Sequence, residues 1–243
     1  MPHIDRLMLY PDRFPTREEY PFNLPLLQQT ETLDLSTPVT LFVGENGTGK
    51  STLLEAIARA CRIHIWGEEE ATRLERNPYR GLLHRCLEVR WTEEPVPGSF
   101  FAAQIFRRFA LLIDEFASCD PDQLKHFGGK SLVSQSHGQS LMSFFRSRYR
   151  LTGLYLLDEP ETALSPTSQL ALVKLLHEMA AAGHAQFIVS THSPILLACP
   201  DARIYSFDRA PVAPIRYEET DHYRLYKGFL NDPAQYLAGP LQR

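Results

Sequence analysis

One eight-residue stretch places glycines, a lysine and a serine at a spacing that can do chemistry. It matches the pattern GxxxxGK[ST] and consists of Gly44, Glu45, Asn46, Gly47, Thr48, Gly49, Lys50 and Ser51. The glycines let consecutive backbone N–H groups turn toward a phosphate, and Lys50 adds a positive charge near the β- and γ-phosphates. We therefore expect this loop, together with Thr52, to bind a nucleotide, with Ser51 coordinating Mg²⁺.

Two carboxylates and a histidine stand where two further apolar runs end. Residues 154–157 and 186–190 predict buried strands, which are followed by Asp158-Glu159 and by Thr191-His192. Ligands of parallel sheets bind at the carboxyl ends of the strands. We therefore expect Asp158 to bind Mg²⁺, Glu159 to orient or deprotonate the attacking water, and His192 to hydrogen-bond the γ-phosphate. The ordinary alternatives are a solvated acidic turn and a histidine that only supports the structure.

These motifs, in this order, resemble those of the ABC-type ATPases. The resemblance spans residues 39–207 and rests on the stretches VTLFVGENGTGKSTLLEAIA, LYLLDEPETALSP and QFIVSTHSPILLACPDARIYSF. The branch it resembles contains DNA-repair and chromosome-maintenance proteins and small stand-alone bacterial ATPases of the AAA or ABC-like type. The resemblance implies ATP hydrolysis with Mg²⁺ by a homodimer whose two copies pair head to tail around two nucleotides.

The resemblance also implies three further elements of the site. Ser136-His137-Gly138-Gln139 occupies the place of the family's signature, and it departs from LSGGQ through Gln135 and His137. Ser136 and Gly138 are then expected to contact the γ-phosphate held by a second copy of the chain. Gln104 looks like the glutamine that senses Mg²⁺ and the attacking water. Residues 163–166, ALSP, look like the loop that lies across the dimer interface.

The surrounding elements predict one α/β domain over residues 1–243, with the P-loop NTPase fold of the ABC-ATPase type. Strands at 39–43, 154–157, 186–190 and 203–207 alternate with helices at 50–62 and 167–182, which favours a mostly parallel sheet. The proline-rich N-terminal residues and residues 85–103 are expected to form an antiparallel β portion. Residues 104–150 are expected to form a small helical portion with the signature loop, and residues 208–243 a C-terminal extension.

Composition limits the alternatives. The formal net charge of −4 and the pI near 6.1 provide no overall basic field for nucleic acid. Four cysteines without CxxC spacing favour neither a zinc site nor a disulfide framework. No apolar run approaches the roughly 18 residues of a membrane span, so we expect a cytoplasmic protein without direct membrane insertion.

The client of the ATPase stays open at this point. A nucleotide-gated module that hydrolyses slowly and docks DNA or a protein is one alternative, and the ATPase subunit of a transporter is another. The basic residues that would suit DNA are Arg107, Arg108, Arg146, Arg148 and Arg150. Either Tyr20 or Phe14 is a candidate for adenine. Five aromatic residues of the extension are expected to pack in a terminal helix pair: Tyr217, Tyr223, Tyr226, Phe229 and Tyr236.

Overall fold

Two β-sheets organise the chain in the computed structural model, which describes residues 1–65, 77–103, 106, 111, 113–115 and 137–237. The larger sheet has six strands in the order β5-β6-β7-β3-β8-β9. In chain order these are β3 (Val39–Val43), β5 (Gly98–Ala102), β6 (Gly153–Asp158), β7 (Ala185–Ser190), β8 (Arg203–Ser206) and β9 (Ala213–Ile215). All neighbours pair in parallel except β8 and β9. The predicted mostly parallel sheet is therefore confirmed.

The smaller sheet is antiparallel and has the order β2-β1-β4, with β1 at Ile4–Leu9, β2 at Thr32–Asp34 and β4 at Leu87–Trp91. The prediction of an antiparallel portion is confirmed for the N-terminal residues and for β4. It is wrong for β5, which pairs in parallel with β6. The adjacent Phe100 and Phe101 of β5 are both buried, in cores on opposite faces, which is the pattern of a strand covered on both sides.

Helices cover both faces of the larger sheet. The described helices are α1 (Pro25–Gln29), α2 (Lys50–Ala60), α3 (His137–Arg148), α4 (Pro166–Ala181), α5 (Pro194–Leu197), α6 (Asp221–Asn231) and α7 (Pro233–Leu237). The core on one face includes Leu53 and Ile57 of α2, and the core on the other includes Phe145 of α3 and Leu172 of α4. Sheet strands with two covered faces explain why β3 and β7 are buried throughout.

Local signals account for the ends of the helices. Ser165 caps α4, because its side chain accepts a hydrogen bond from the Ser168 N–H, and Pro166 follows at the first helical position. Gly183, which adopts a φ of 79°, follows the C-cap of α4 and ends the helix. Helix α3, at His137–Arg148, lies within the helical portion expected at 104–150. Of residues 104–136, the structure describes only 106, 111 and 113–115.

Side chains of the larger sheet form hydrogen bonds to the smaller sheet, and those of Gln186 are buried. Gln186 of β7 is fully buried, and its Oε1 accepts hydrogen bonds from the N–H groups of His3 and Ile4, both at 2.8 Å. Its Nε2 donates to the carbonyls of Ile4 at 2.9 Å and Leu35 at 2.7 Å. The smaller sheet is therefore held against the larger one by polar contacts as well as by apolar packing.

No helix in the described part of the chain is long and apolar enough to cross a membrane. The three cysteines in that part are free thiols, and burial raises the pKa of Cys61 to about 12 and that of Cys199 to about 11. Cys119 lies outside it.

Candidate active site

The glycine-rich loop leaves β3 and enters α2 directly. Gly47 and Gly49 adopt φ values of 80° and 102°, a region that residues with a side chain rarely adopt. A Cβ on Gly49 would also lie 2.8 Å from Cδ1 of Leu24. Thr48 Oγ1 donates to the Glu45 carbonyl at 2.9 Å, so the loop is closed on itself by a local hydrogen bond. The conformation thus favours glycine at Gly49, a fixed position of the motif, and also at Gly47, where the motif allows any residue.

Lys50 is folded back over this loop. Its side chain is buried, and Nζ donates to the carbonyls of Gly44 at 2.6 Å and Glu45 at 2.8 Å. Burial lowers the pKa of the Lys50 ammonium, although the carboxylates of Glu159 and Asp208 act in the opposite direction. An anion beside Nζ would offset the cost of burying this charge, so the loop and Lys50 fit a polyphosphate.

Ser51 and Asp158 bring two side-chain oxygen atoms together beside the loop. Ser51 Oγ donates to Asp158 Oδ1 at 2.9 Å, and burial raises the pKa of the Asp158 carboxyl. A half-buried carboxylate beside a hydroxyl suits Mg²⁺, which takes few protein ligands and completes its shell with phosphates and water. In the part of the chain that the structure describes, no group of three or more His, Cys, Asp or Glu side chains forms a metal cluster. One carboxylate beside one hydroxyl fits a cation whose remaining ligands come from a nucleotide and water.

Glu159 and His192 face each other at the ends of β6 and β7. Glu159 Oε1 lies 3.5 Å from His192 Nε2. The Glu159 backbone is left-handed, with φ of 46° and ψ of 52°, a strained conformation for a residue with a side chain. Burial, and next Lys50, lower the pKa of the His192 imidazole, which favours the neutral ring. The His192 N–H donates to Oε1 of the half-buried Glu161 at 2.6 Å, and this contact fixes the backbone of the histidine.

The structure brings together most of the predicted site residues at one edge of the larger sheet. Strands β6, β7 and β3 are neighbours, and the loop, the two carboxylates and His192 all follow their carboxyl ends. Gln104 and Ser136 lie outside the described residues. Gly138 is in the first turn of α3, where an added Cβ would lie 3.4 Å from the Ala163 carbonyl. Gly138 thus packs beside the ALSP segment.

Two residues near the site, Asp208 and His222, are absent from the prediction. Asp208 Oδ1 accepts the Glu45 N–H at 2.8 Å and so supports the loop. Asp208 follows β8, the other neighbour of β3, so the strand-end rule that found Asp158 could have found it. His222, in α6, lies 3.2 Å from His192, measured from Nε2 to Nδ1. No spacing or motif in the sequence marks it.

The aromatic residues predicted for adenine and for the terminal helix pair have different surroundings in the structure. Tyr20 OH hydrogen-bonds Thr52 Oγ1, next to the loop, whereas Phe14 packs on Phe22 with ring centroids 4.8 Å apart. The helix pair is present as α6 and α7, and Phe229 meets Tyr236 across it. Tyr226 and Phe229 are 50% and 39% exposed, since no residue of α6 is buried, so the expected packing is only partial.

The structure describes three of the five basic residues that were candidates for DNA binding. Arg146 and Arg150 are exposed and Arg148 is half-buried, all three at the end of α3 or just beyond it. Arg107 and Arg108 lie outside the described residues. This arrangement matches an ordinary solvated helix end as well as a nucleic-acid contact.

Comparison with known proteins identifies the class. Residues 22–66 match a family described as "AAA domain", and residues 106–198 match one described as "AAA domain, putative AbiEii toxin, Type IV TA system". The cytochrome c biogenesis ATP-binding export protein CcmA of Nitrosococcus oceani is 30% identical over 161 residues, which are 62% of this chain and 71% of that protein. The chain therefore belongs to the ABC-type ATPases, enzymes that bind and hydrolyse ATP.

Solved structures share the fold. The structure titled "An inward-facing conformation of a putative metal-chelate type ABC transporter" is similar with a TM-score of 0.53 and 16% identity, over 93% of this chain and 88% of that one. The SMC head domain from Thermotoga maritima is similar with a TM-score of 0.51 and 14% identity, over 88% and 99%. Both likenesses confirm the predicted ABC-type fold, and at these identities they show the fold alone.

Proposed function

We propose that the chain is a Mg²⁺-dependent ATPase in which two copies enclose two ATP molecules and open again after hydrolysis. The observation that carries this proposal is the meeting of the glycine-rich loop, the Ser51–Asp158 pair and the Glu159–His192 pair at one sheet edge. Phosphate binding, cation binding and water activation are thereby available within one site. A cytoplasmic location is part of the same proposal.

Each side chain has a role that its surroundings support. Backbone N–H groups of residues 44–51 and the Lys50 ammonium hold the phosphates, with Thr52 beside them. Ser51 and Asp158 hold Mg²⁺, which when bound neutralises charge on the phosphate oxygens. Glu159 orients the attacking water and accepts its proton, and His192 Nε2 donates a hydrogen bond to the γ-phosphate. Gln104, by resemblance, contacts the cation and the water.

Closure of the dimer would depend on the γ-phosphate. In the proposed dimer, Ser136 and Gly138 of one copy reach the nucleotide of the other, and the charge of the γ-phosphate holds the two halves together. The contact between Gly138 and Ala163 supports this arrangement, because it puts the signature loop and the ALSP segment side by side on one copy. Hydrolysis removes the bridging group, and the dimer opens.

The test is the mass of the Glu159→Gln protein in solution with and without Mg-ATP. The amide keeps the shape of the side chain but cannot accept the proton, so we expect ATP binding, turnover reduced roughly 10²–10⁴-fold, and a doubling of the 27.8 kDa monomer mass. Lys50→Ala should not bind ATP and should stay monomeric. Glu178→Gln makes the same change at an exposed position of α4 and should behave as the wild type. Unchanged turnover of Glu159→Gln would refute the role of Glu159, and ATP binding without a mass change would refute the unaided homodimer.

The similarity to CcmA supports a second candidate, the ATPase subunit of an exporter. An exporter subunit is expected to need its membrane partner for full turnover, whereas the proposed homodimer should hydrolyse ATP alone. Steady ATP turnover by the purified chain, together with the ATP-dependent dimer, would therefore favour the stand-alone enzyme. A salt-dependent affinity of that dimer for duplex DNA, measured by fluorescence anisotropy, would identify a nucleic-acid client.

A further inference from the structure

The C-terminal extension contacts the candidate active site through one histidine. His222 lies in the first turn of α6 and is half-buried, and its ring centroid is 5.3 Å from that of His192. The His222 Nε2 and His192 Nδ1 atoms are 3.2 Å apart, at the length of an N–H···N hydrogen bond. This contact uses the ring nitrogen of His192 that points away from Glu159, so it does not compete with the site.

The segment that presents His222 is anchored to the same loop. Tyr217 OH donates to the carbonyl of Pro194, two residues after His192, at 2.9 Å. Thr220 is buried, and its Oγ1 donates to the Tyr217 carbonyl at 2.8 Å and accepts the Tyr223 N–H at the start of α6. These contacts fix the first turn of α6 relative to the loop after β7, so His222 is held in place rather than swinging freely.

Burial lowers the pKa of His222, as it does that of His192, and this favours the neutral form of both rings. Between two neutral rings the shared proton has two possible arrangements. In one arrangement His192 Nδ1–H donates to His222. His222 would then carry its own proton on Nδ1, a buried atom that has no hydrogen-bond partner among the described residues. His192 Nε2 would present a lone pair to the Glu159 carboxylate 3.5 Å away, which is repulsive.

The opposite arrangement removes the repulsion. It moves the unpaired proton from His222 Nδ1 to His192 Nε2, which is also buried without a hydrogen bond among the described residues but lies 3.5 Å from the Glu159 carboxylate, an acceptor. When His222 Nε2–H donates to His192 Nδ1, the remaining atom of His222 is an acceptor, which is less costly to leave unpaired than a buried donor. His192 then carries its proton on Nε2, the atom that faces Glu159. That proton is also the one that a histidine needs if it is to donate to a phosphate oxygen.

We propose that His222 is a positioning residue that donates from Nε2 to His192 Nδ1 and thereby holds His192 as the Nε2–H tautomer. The inference rests on the proposed role of His192 as a donor to the γ-phosphate. It assigns a function in ATP hydrolysis to the C-terminal extension, which no motif marks. The start of α6 becomes part of the enzyme's active-site support.

Kinetics of three variants test the consequence. His222→Leu removes the donor, and the loss of one hydrogen bond predicts a roughly five- to tenfold fall in kcat with little change in the KM for ATP. His222→Gln restores a side-chain N–H near the position of Nε2 and should recover most of kcat. Leu225→Ala changes an exposed residue of the same helix and should match the wild type. A merely structural role for His222 would give no rescue by glutamine.

The tautomer itself can be read directly. Long-range ¹H–¹⁵N correlation spectra of the full chain labelled with ¹⁵N-histidine distinguish Nδ1–H from Nε2–H rings. We expect His192 as Nε2–H in the wild type and in His222→Gln, and a mixture of tautomers in His222→Leu. An Nδ1–H ring at His192 in the wild type, or an unchanged tautomer with unchanged kcat in His222→Leu, would overturn the proposal. A wild-type chain without ATP turnover would instead contradict the proposed function, while the spectra would still decide the histidine pair.

Discussion

Replacing Gln186 by methionine tests whether the two sheets are joined by the polar contacts described above. Methionine has a similar length and volume but can neither donate nor accept as the amide does. Four backbone groups within 2.9 Å would lose this partner: the N–H groups of His3 and Ile4 and the carbonyls of Ile4 and Leu35. The Thr37 carbonyl, at 3.3 Å, would lose a fifth and longer contact. At about 1 kcal/mol for each net hydrogen bond, the substitution should lower the free energy of unfolding by about 4 kcal/mol.

Urea denaturation at 25 °C, followed by circular dichroism, measures this loss as a lower midpoint at an unchanged slope. Gln235→Met, at an exposed position of α7, makes the same chemical change and should shift the free energy by less than about 0.5 kcal/mol. A loss below about 1 kcal/mol for Gln186→Met would mean that water or other groups replace the amide, and the reasoning from these hydrogen bonds would be refuted.

Three further predictions follow from single side chains. Tyr149→Phe removes a buried hydroxyl that has no hydrogen-bond partner among the described residues, so the free energy of unfolding should stay unchanged or rise by up to about 1 kcal/mol. Tyr155→Phe removes a hydroxyl that donates to a backbone carbonyl, and it should lower the free energy of unfolding by about 1 kcal/mol. Thermal denaturation of the two variants checks this contrast. Burial raises the pKa of Asp34, but hydrogen bonds from Ser36 and from the Arg203 guanidinium more than offset this effect and hold the pKa at about 2. The carboxylate therefore stabilises the fold above about pH 4 and loses this contribution as the pH falls toward 2. The difference in the free energy of unfolding between the wild type and Asp34→Asn, under about 1 kcal/mol for this exposed pair, should fade over that range in urea titrations. Gly49→Ala forces a side chain onto a φ of 102°, so it should lower the free energy of unfolding by about 1–2 kcal/mol and weaken ATP binding. Titration calorimetry with ATP measures the affinity, and a wild-type affinity would contradict this prediction.

The sequence predicts those parts of the site that depend on local pattern. Strand β3 has the predicted bounds, because its five apolar residues end at a glycine. Asp158, Glu159 and His192 follow from one rule, that polar residues after buried parallel strands gather at one edge. Each of these inferences needs only the residues of one strand and the turn after it.

The parts that sequence reasoning misses depend on distant contacts. The parallel pairing of β5 is decided by β6, about fifty residues further along the chain, and alternation alone cannot show it. The sequence predicts a strand that contains Gln186, but the role of this residue depends on β1, 182 residues away. His222 meets His192 only because the extension returns to the loop after β7. In each case the deciding partner is remote in sequence and carries no motif.

The separation of Glu159 from His192 is a consequence of strand register. Asp158 pairs with Ser190 across β6 and β7, and the Glu159 N–H donates to the Ser190 carbonyl at 2.9 Å. This hydrogen bond continues the ladder one residue past Asp158, so the left-handed backbone of Glu159 begins where the pairing stops. A slip of one residue between the strands would move each side chain to the opposite face of the sheet. The packing of β7, which is buried on both faces, opposes such a slip. The register of the packed sheet therefore sets the 3.5 Å distance between the Glu159 and His192 side chains, which lie at the ends of neighbouring strands.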